Sequence, residues 1–533
     1  MSSTQQDVVI VGAGFSGMYL LHRLRGLGFS VQVIEAGPNV GGTWFWNRYP
    51  GARVDVHSIT YSYSFDDALQ QEWEWTERYA AQPELMRYIN HVADRFDLRR
   101  DIQLETRVTA AHFDEATDRW EIKTDRGDHS SARFCIMATG CLSVSRLPDI
   151  PGLESFQGDW YHTGAWPHDG VDFGGKTVGI IGTGSSAVQT ITTIASQVDH
   201  LTVFQRTPNF SVPAWNGPAD RELEQQVKES YASYRQRARE SYGGDIFDFS
   251  QTPALSVTAE EREAEFERRW AQGGFGFLVS FVDLVTDPAA NAAATAFVHR
   301  KIREQVQDPA VAELLCPKEH PFGTKRLCVD TGYYQVYNRD NVELVDVKSD
   351  PIAAITPTGV RLESGTAYAF DALILATGFD AMTGALFNID IRGRDGELLK
   401  EKWLGGPRTY LGLQSAGFPN LFMITGPGSP SVLSNMMVSI EQHVDWVTDC
   451  VVYLRDHGIA TIEPELDAED RWVDHVNEVG AATLLPEANS WYMGANVPGK
   501  PRILTPYVGG VGAYRIICDE VVAKGYEGFA LKA

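Results

Sequence analysis

The chain has 533 residues, a length that at about 150 residues per domain predicts three or four domains. Hydrophobic residues make up 43% and charged residues 22% of it, which is typical of globular proteins and excludes a mainly disordered, collagen-like or disulfide-rich chain. The net charge of −24 argues against nucleic acid or an anionic membrane as the main partner, so any anionic ligand must be met by local basic residues.

The six cysteines include no C-x-x-C pair, which predicts reduced, mostly buried thiols and no metal site. The polar residues 1–5 do not resemble a signal peptide, and no apolar run reaches the roughly 20 residues that a membrane helix needs. We therefore expect a soluble, cytoplasmic and monomeric protein with no membrane partner.

The first predicted unit is a strand, a glycine turn and a helix. A β-branched strand at residues 7–11 precedes the G-x-G-x-x-G turn at 12–17, and a helix follows from Met18. The next strand, residues 30–34, ends at Glu35, about 20 residues beyond the turn, where a carboxylate can bind ribose hydroxyls. This context predicts a dinucleotide site, because glycine lets the backbone approach a pyrophosphate at a helix N-terminus.

A second unit of the same kind begins at the predicted strand 176–181. Its turn at 182–187 contains Gly182 and Gly184, and the following strand, residues 201–204, leads to Arg206 rather than to an acid. A guanidinium at this position can pair with a 2′-phosphate, which a carboxylate would repel. The second site is therefore predicted to prefer NADPH over NADH; the alternative is a surface arginine without this role.

Charged helices are predicted between the second unit and the next strands, over residues 214–322. Thr258 and Glu261 fit a capping box, and Asp287 and Asp308 each precede a proline at a helix start. Strands resume at 342–345 and 372–376, and the two Ala-Thr-Gly strand ends at 138–140 and 376–378 suggest crossovers between domains. We expect an α/β protein with two Rossmann-like domains: 1–140 with 380–533 for FAD, 141–213 with 323–379 for NADPH, and 214–322 as a helical insertion.

Two dinucleotide sites in one chain indicate a flavin and its hydride donor. The first turn, followed by residues 41–44, is the better flavin candidate. Flavin disulfide reductases share this layout, but they need a redox cysteine pair near the flavin ring. No cysteine precedes Cys135, which disfavours that class.

The segment between the two units has the pattern F-x-G-x-x-x-H-x-x-x-W-P. It contains Phe156, Gly158, His162 and Trp166. A lone histidine among aromatic residues is by itself more typical of a packed structural side chain than of an acid or base. The whole pattern, however, resembles the fingerprint of type I Baeyer–Villiger monooxygenases; related flavin monooxygenases and N-hydroxylases differ at the Trp-Pro step.

The resemblance covers essentially the full chain. It includes residues 41–55, the Lys325-Arg326 pair, residues 376–380 and Trp491, and it is nearest to phenylacetone and steroid monooxygenases. It implies that NADPH reduces FAD, that O₂ adds at flavin C4a, and that the resulting peroxyflavin attacks a ketone to give an ester or lactone. It further implies that Arg326 stabilises the peroxyflavin, that sulfides are oxidised as a side activity, and that O₂ and a small ketone are the partners.

The resemblance also implies roles for single residues. Arg326 is the catalytic arginine, Asp55 its carboxylate partner, and Lys325 a contact of the NADPH phosphate. Trp491 lies on a mobile loop over the nicotinamide, and His162 affects domain motion rather than proton transfer. Physical chemistry supports the first pair, because a permanently charged guanidinium stabilises growing negative charge and a carboxylate can hold it in place.

The remaining candidate residues form three sets. The expected FAD contacts are Gly12, Gly14, Phe15, Ser16, Gly17, Glu35, Gly42, Thr43, Trp44, Trp46, Asp55, Tyr61, Val108 and Met436. The expected NADPH contacts are Thr183, Gly184, Ser185, Ser186, Gln189, Arg206, Thr207, Lys325, Arg326 and Trp491. The expected substrate wall is Leu142, Ser431, Val432, Leu433 and Met436, with Cys141 as a further neighbour.

Two other functions stay open on sequence grounds. An N- or S-oxygenating flavin monooxygenase would use the same scaffold, and products from one ketone and one amine would separate the two. A non-catalytic NADPH-binding regulator is the other class; it would be colourless even after FAD is added.

Overall fold

Two sheets organise the fold, and each contains a strand that leads directly into one of the glycine turns. The computed structural model describes residues 4–533, so the first three residues of the polar start lie outside the described part. The strands, in chain order, are β1 Thr4–Val11, β2 Val31–Ile34, β3 Ile102–Gln103, β4 Val108–Asp114, β5 Arg119–Thr124, β6 His129–Met137, β7 Asp159–His162, β8 Thr177–Ile181, β9 His200–Gln205, β10 Ser211–Pro213, β11 Cys328–Asp330, β12 Val342–Asp346, β13 Ile352–Thr356, β14 Gly359–Leu362, β15 Ala367–Ala369, β16 Ala372–Leu375, β17 Asp390–Arg392, β18 Leu421–Met423, β19 Thr461–Pro464 and β20 Phe529–Lys532.

Helices connect and cover these strands. In chain order they are α1 Phe15–Gly26, α2 Thr43–Trp46, α3 Asp67–Glu72, α4 Gln82–Arg95, α5 Ser185–Ile194, α6 Arg221–Glu229, α7 Tyr231–Glu240, α8 Ala259–Gln272, α9 Pro288–Gln305, α10 Pro309–Leu315, α11 Tyr333–Val336, α12 Gly384–Phe387, α13 Leu399–Lys402, α14 Met436–Asp456, α15 Leu466–Ala481 and α16 Val511–Ala523.

The larger sheet has the order β17-β4-β5-β6-β1-β2-β3, and β18 also pairs with β6. Strand β1 is parallel to both of its neighbours, β2 and β6. Val8, Val9 and Ile10 are completely buried, because both faces of this central strand are covered. That burial explains why the strand is a continuous β-branched run rather than an alternating one.

The second sheet has the order β12-β9-β8-β16-β7 and is parallel throughout. Its strands come from residues 159–205 and 342–375, whereas those of the larger sheet come from 4–137 and 390–423. These memberships are compatible with the expected domain boundaries, which stay a prediction.

The segment 214–322 contains α6 to α10, as its charge pattern predicts. Thr258 and Glu261 form the reciprocal capping box, and the carboxylates of Asp287 and Asp308 accept hydrogen bonds from the first N–H groups of α9 and α10. Strands β10 and β11, which flank the segment, pair in parallel. The two ends of the segment therefore meet in a separate two-stranded sheet, directly after the Lys325-Arg326 pair.

The prediction for the cysteines is confirmed: all six are buried and unpaired. Over residues 4–533, no helix combines the length and the apolar character that crossing a bilayer requires.

Candidate active site

A cavity of about 1330 Å³ joins the two glycine turns. It exceeds the roughly 300–1000 Å³ of an ordinary small-molecule pocket, which suits more than one ligand. Its wall contains nearly all of the expected contact residues; the exceptions are Gly17, Ser431 and Leu433.

The first turn is tight because its backbone lies against the end of β6. Gly12 has a φ of +107°, and a Cβ at this position would lie 2.5 Å from the Ala138 carbonyl oxygen. Gly17 lies behind the turn: its Cβ would meet the Gly12 oxygen at 1.8 Å, so its role is close packing of α1 on the turn rather than ligand contact. The N-terminus of α1 is thereby brought to the cavity, which suits a pyrophosphate.

Glu35 closes the first half of the cavity at the end of β2. Its side chain accepts hydrogen bonds from the backbone N–H groups of Ala13 and Gly37, both at 2.7 Å. Burial raises the pKa of Glu35, and these two donors counteract the increase. Two carboxylate oxygens offer about four acceptor sites, so room remains for ribose hydroxyls.

The other expected flavin contacts surround this half. Trp44 donates from its indole nitrogen to the Tyr61 hydroxyl at 3.1 Å, which fixes one wall. The wall also contains Gly14, Phe15, Ser16, Gly42, Thr43, Trp46, Val108 and Met436. The first half thus offers a glycine cradle, a carboxylate and an aromatic wall, which together fit FAD.

The second turn repeats the geometry of the first. Gly182 has a φ of +117°, and a Cβ there would lie 2.4 Å from the Ala376 carbonyl oxygen. Helix α5 begins directly afterwards, at Ser185. This half of the wall contains Thr183, Gly184, Ser185, Ser186, Gln189, Thr207 and Trp491.

Gln189 has a role that the sequence did not suggest. Its Oε1 accepts from the Tyr49 hydroxyl at 2.8 Å, and its Nε2 donates to the Arg53 carbonyl at 3.2 Å. The amide therefore ties α5 to the segment between the first turn and Asp55. Its phosphate contact stays a prediction.

Arg206 and Lys325 lie together at the far end of the second half. Burial lowers the pKa of Lys325, and the positive charge of Arg206 lowers it further. Within residues 4–533, neither side chain forms an ion pair with an acidic group. Two adjacent cations without such a partner fit a dianion such as the 2′-phosphate of NADPH.

Between the two halves lies the pair formed by Arg326 and Asp55. The guanidinium donates from Nε and Nη2 to the carboxylate at 2.8–2.9 Å, and from Nη1 to the Val432 carbonyl at 2.7 Å. Burial works to lower the pKa of Arg326, but Asp55 outweighs it, so the pKa lies above its ordinary value. The side chain is 24% exposed and lines the cavity, where it presents a permanent positive charge.

The expected substrate wall is only partly exposed to the cavity. Leu142, Val432 and Met436 line it, and Cys141 does so as well, with a thiol whose pKa burial raises to about 11. Ser431 is fully buried and donates to the Thr425 carbonyl, while Leu433 packs among apolar side chains behind the wall. The structure thus places these two residues in support of the wall.

The four fingerprint residues do not line the cavity, although Gly164 and Ala165 of the same segment do. His162 is 3% exposed; its Nδ1 accepts from the Gly164 N–H at 3.0 Å, and its Nε2 lies 3.2 Å from the Arg146 carbonyl oxygen. Burial lowers its pKa, so the ring is neutral. Phe156 and Trp166 are buried, and a Cβ at Gly158 would lie 2.5 Å from the Asp371 oxygen. All four lie in the second sheet and its connections, and none of them lines the cavity.

Comparison with known proteins decides the family. The chain is 44% identical over 523 residues to a Baeyer–Villiger monooxygenase of Pseudooceanicola batsensis, covering 98% of this chain and 95% of that protein. The chain belongs to the Baeyer–Villiger monooxygenase family. The resemblance carried by the fingerprint and the residues around Asp55 and Arg326 is thereby confirmed.

Solved structures of similar proteins agree with the fold. An oxidised steroid monooxygenase bound to NADP superposes with a TM-score of 0.95 at 53% identity, covering 99% of this chain and all of that one. A complex of OTEMO with FAD and NADP has a TM-score of 0.96 at 42% identity, with coverage of 99% and 100%. The expected α/β class with two Rossmann-like domains is confirmed.

A family model described as pyridine nucleotide-disulphide oxidoreductase also matches residues 9–249. The two cysteines in that range, Cys135 and Cys141, are buried and unpaired. The match therefore reflects the shared dinucleotide-binding layout, and the redox disulfide of that class has no counterpart among the described residues.

Proposed function

We propose that this chain is an NADPH- and FAD-dependent monooxygenase that converts a ketone to an ester or lactone. The balanced reaction consumes ketone, O₂, NADPH and one proton, and it yields ester, NADP⁺ and water. The observation that carries the proposal is the Arg326–Asp55 pair in the cavity between a carboxylate-ended and an arginine-ended dinucleotide turn. The monomeric state and a side activity on sulfides belong to the same proposal.

The two halves of the cavity would hold the cofactors. The first turn and Glu35 would hold FAD, and the second turn with Arg206 and Lys325 would hold NADPH. FAD, once reduced by NADPH, would supply the activation of O₂ and the oxygen atom that is transferred. The apolar side chains Leu142, Val432 and Met436 would position the ketone and exclude water.

Arg326 would act through its charge. A guanidinium has five N–H donors, and the contacts with Asp55 and Val432 leave donors available to the cavity. These donors would stabilise the negative charge that grows on the former carbonyl oxygen. Asp55 holds the guanidinium and offsets part of its desolvation, and the raised pKa of Arg326 prevents it from releasing its proton to a reacting anion.

Replacement of Arg326 by alanine tests this role. We expect ester formation to fall by at least about 100-fold, because a preorganised charge at the developing oxyanion is lost. NADPH should still bleach bound FAD under nitrogen at a similar rate. Normal ester yield in Arg326→Ala, measured by mass spectrometry of the products, would overturn the assignment.

A panel of substrates tests the reaction class. Cyclic, aryl and steroidal ketones should yield esters or lactones, and an amine offered under the same conditions should yield less oxygenated product. A preference for the amine would favour the N-oxygenating alternative. A purified protein that stays colourless after addition of FAD would favour a non-catalytic role.

A further inference from the structure

The Arg326 guanidinium has more neighbours than its carboxylate partner. One face of it lies over the ring of Phe275, with 4.6 Å between the guanidinium carbon and the ring centroid. The phenol of Tyr492 also lies beside the guanidinium, in the apolar cluster that contains Val432. Both residues are uncharged, and they come from two different parts of the chain.

Phe275 belongs to the helical segment 214–322. It lies on the short 3₁₀ turn Gly274–Phe277, where Gly274 has a φ of +67° and a Cβ would lie 2.4 Å from the Tyr79 hydroxyl. The turn therefore lies directly against Tyr79. An aromatic face at this distance attracts a guanidinium, and stacking restricts its rotation out of the plane.

Tyr492 belongs to the segment that carries Trp491. The two residues share the 3₁₀ turn Trp491–Met493, and their rings lie 4.4 Å apart. Tyr492 is only 2% exposed, and its carbonyl accepts hydrogen bonds from the backbone N–H and the hydroxyl of Thr505, both at 2.9 Å. Burial raises the pKa of Tyr492 to about 12, so the phenol keeps its proton at neutral pH.

The same segment is fastened to the end of the second sheet. Asn496 donates to the Phe379 carbonyl at 2.6 Å, and Lys500 donates to the Asp380 carboxylate at 2.7 Å. When the segment is docked in this way, Trp491 lines the cavity and Tyr492 reaches Arg326. The same contacts thus place Trp491 at the cavity wall and Tyr492 beside the Arg326 charge.

We propose that Phe275 and Tyr492 are positioning residues that fix the orientation of the Arg326 guanidinium, one from the helical insertion and one from the Trp491 segment. The proposal rests on the proposed function of Arg326. Asp55 and the Val432 carbonyl hold the edge of the guanidinium, Phe275 covers one of its faces, and the Tyr492 phenol lies beside the charge. The remaining donor capacity is then directed to the cavity.

Tyr492→Phe removes the hydroxyl and keeps the ring. We expect the rate of ester formation to fall about tenfold, because the polar group beside the Arg326 charge is lost. The KM for NADPH and the rate of flavin reduction under nitrogen should stay within about twofold, since the binding halves are untouched. Tyr410→Phe, which loses a hydroxyl contact with the Glu527 carbonyl outside the cavity, is the matched control and should leave the rate of ester formation unchanged.

Phe275→Leu removes the aromatic face and keeps much of the apolar volume. We expect a three- to tenfold fall in the rate of ester formation. Phe275→Tyr should keep most of the wild-type rate, because the aromatic face is still present. Phe249→Leu, in the same helical segment and in ring contact with Tyr242 and Phe247, is the control for general loosening of that segment. Equal losses in Phe249→Leu and Phe275→Leu would overturn the role of Phe275.

A double-mutant cycle separates positioning from general stability. In an Arg326→Lys background, Tyr492→Phe should cause little further loss, because the group through which it acts is already changed. Fully additive losses would overturn the proposal. If Arg326→Ala makes ester normally, the role of Arg326 itself fails. If Arg326→Ala is inactive while Tyr492→Phe and Phe275→Leu both behave as wild type, only the positioning roles fail.

Discussion

The two glycine turns share a backbone but differ in the residue that ends the following strand. Gly12 and Gly182 have φ values of +107° and +117°, and each lies directly against a carbonyl at the end of a neighbouring strand. Beyond the first turn stands Glu35, which is 5% exposed; beyond the second stands the exposed Arg206. The common backbone suits a pyrophosphate in both places, and in the proposed function the strand-end residue would select the ligand.

The difference in exposure fits the proposed roles of the two ligands. Glu35 is enclosed and already accepts two backbone hydrogen bonds, which suits a cofactor that stays bound. Arg206 is open to solvent and lies beside Lys325, which suits a nucleotide that must be exchanged in each catalytic cycle. In the proposed function, the same type of βαβ unit would serve both a resident and an exchanging ligand.

The largest expected effect, on the rate of flavin reduction, comes from distorting the second glycine turn while leaving the first intact. Gly182→Ala places a Cβ 2.4 Å from the Ala376 oxygen at a φ that alanine disfavours. NADPH-dependent flavin reduction under nitrogen should fall by at least about 100-fold, and the protein should stay yellow. Gly175→Ala, at φ +72° with nothing within 4 Å, controls for backbone strain alone. Wild-type reduction by Gly182→Ala would show that the second turn does not bind the nucleotide.

A smaller effect is expected from removing the charge that distinguishes the second site. Arg206→Ala should raise the KM for NADPH about ten- to hundredfold and that for NADH by less than about twofold, because only NADPH carries the 2′-phosphate. Steady-state kinetics with both nucleotides measures the ratio. Arg361→Ala, an exposed arginine on β14 outside the cavity, is the matched control. Equal increases for the two nucleotides would contradict the assignment of Arg206.

The smallest effect concerns pH. Because burial and Arg206 lower the pKa of Lys325, this lysine loses its proton earlier than an ordinary lysine as the pH rises. The value of kcat/KM for NADPH should therefore fall on the alkaline side, whereas that for NADH should change less. Arg206→Ala removes the neighbouring positive charge and should shift this fall to higher pH. A Lys325→Gln variant that keeps the same alkaline fall would show that another group titrates.

Local features of the chain could be predicted because they depend on neighbours in sequence. The capping box at Thr258 involves residues three positions apart, and a glycine turn follows from the backbone freedom of Gly12 and Gly182. The burial of all six cysteines follows from composition, and the parallel strands at the centre of each sheet follow from the strand pattern. Family resemblance extended this to the Arg326–Asp55 pair, which spacing alone could not join.

Other parts of the site could not be predicted, because they depend on which distant surfaces meet. Phe275 has no local signal that distinguishes it from the other aromatic residues of its segment. The tie between Tyr49 and Gln189 spans 140 residues, and Ser431 lies behind the cavity wall although its neighbour Val432 lines it. A side chain's contacts across domains are set by packing and not by its own residue type.

The amino-acid sequence by itself determined the two glycine turns and the opposite charges of the residues that end the following strands, because these reside in short segments whose backbone and charge act locally. The chemistry was implied by the family resemblance of the sequence. Only the tertiary structure decided how the guanidinium of Arg326 is held. Asp55 lies 271 residues away from it in the chain, and the Val432 carbonyl lies 106 residues away. Contacts over such separations form only when the sheets and the helical segment pack together, so their geometry is a property of the folded molecule.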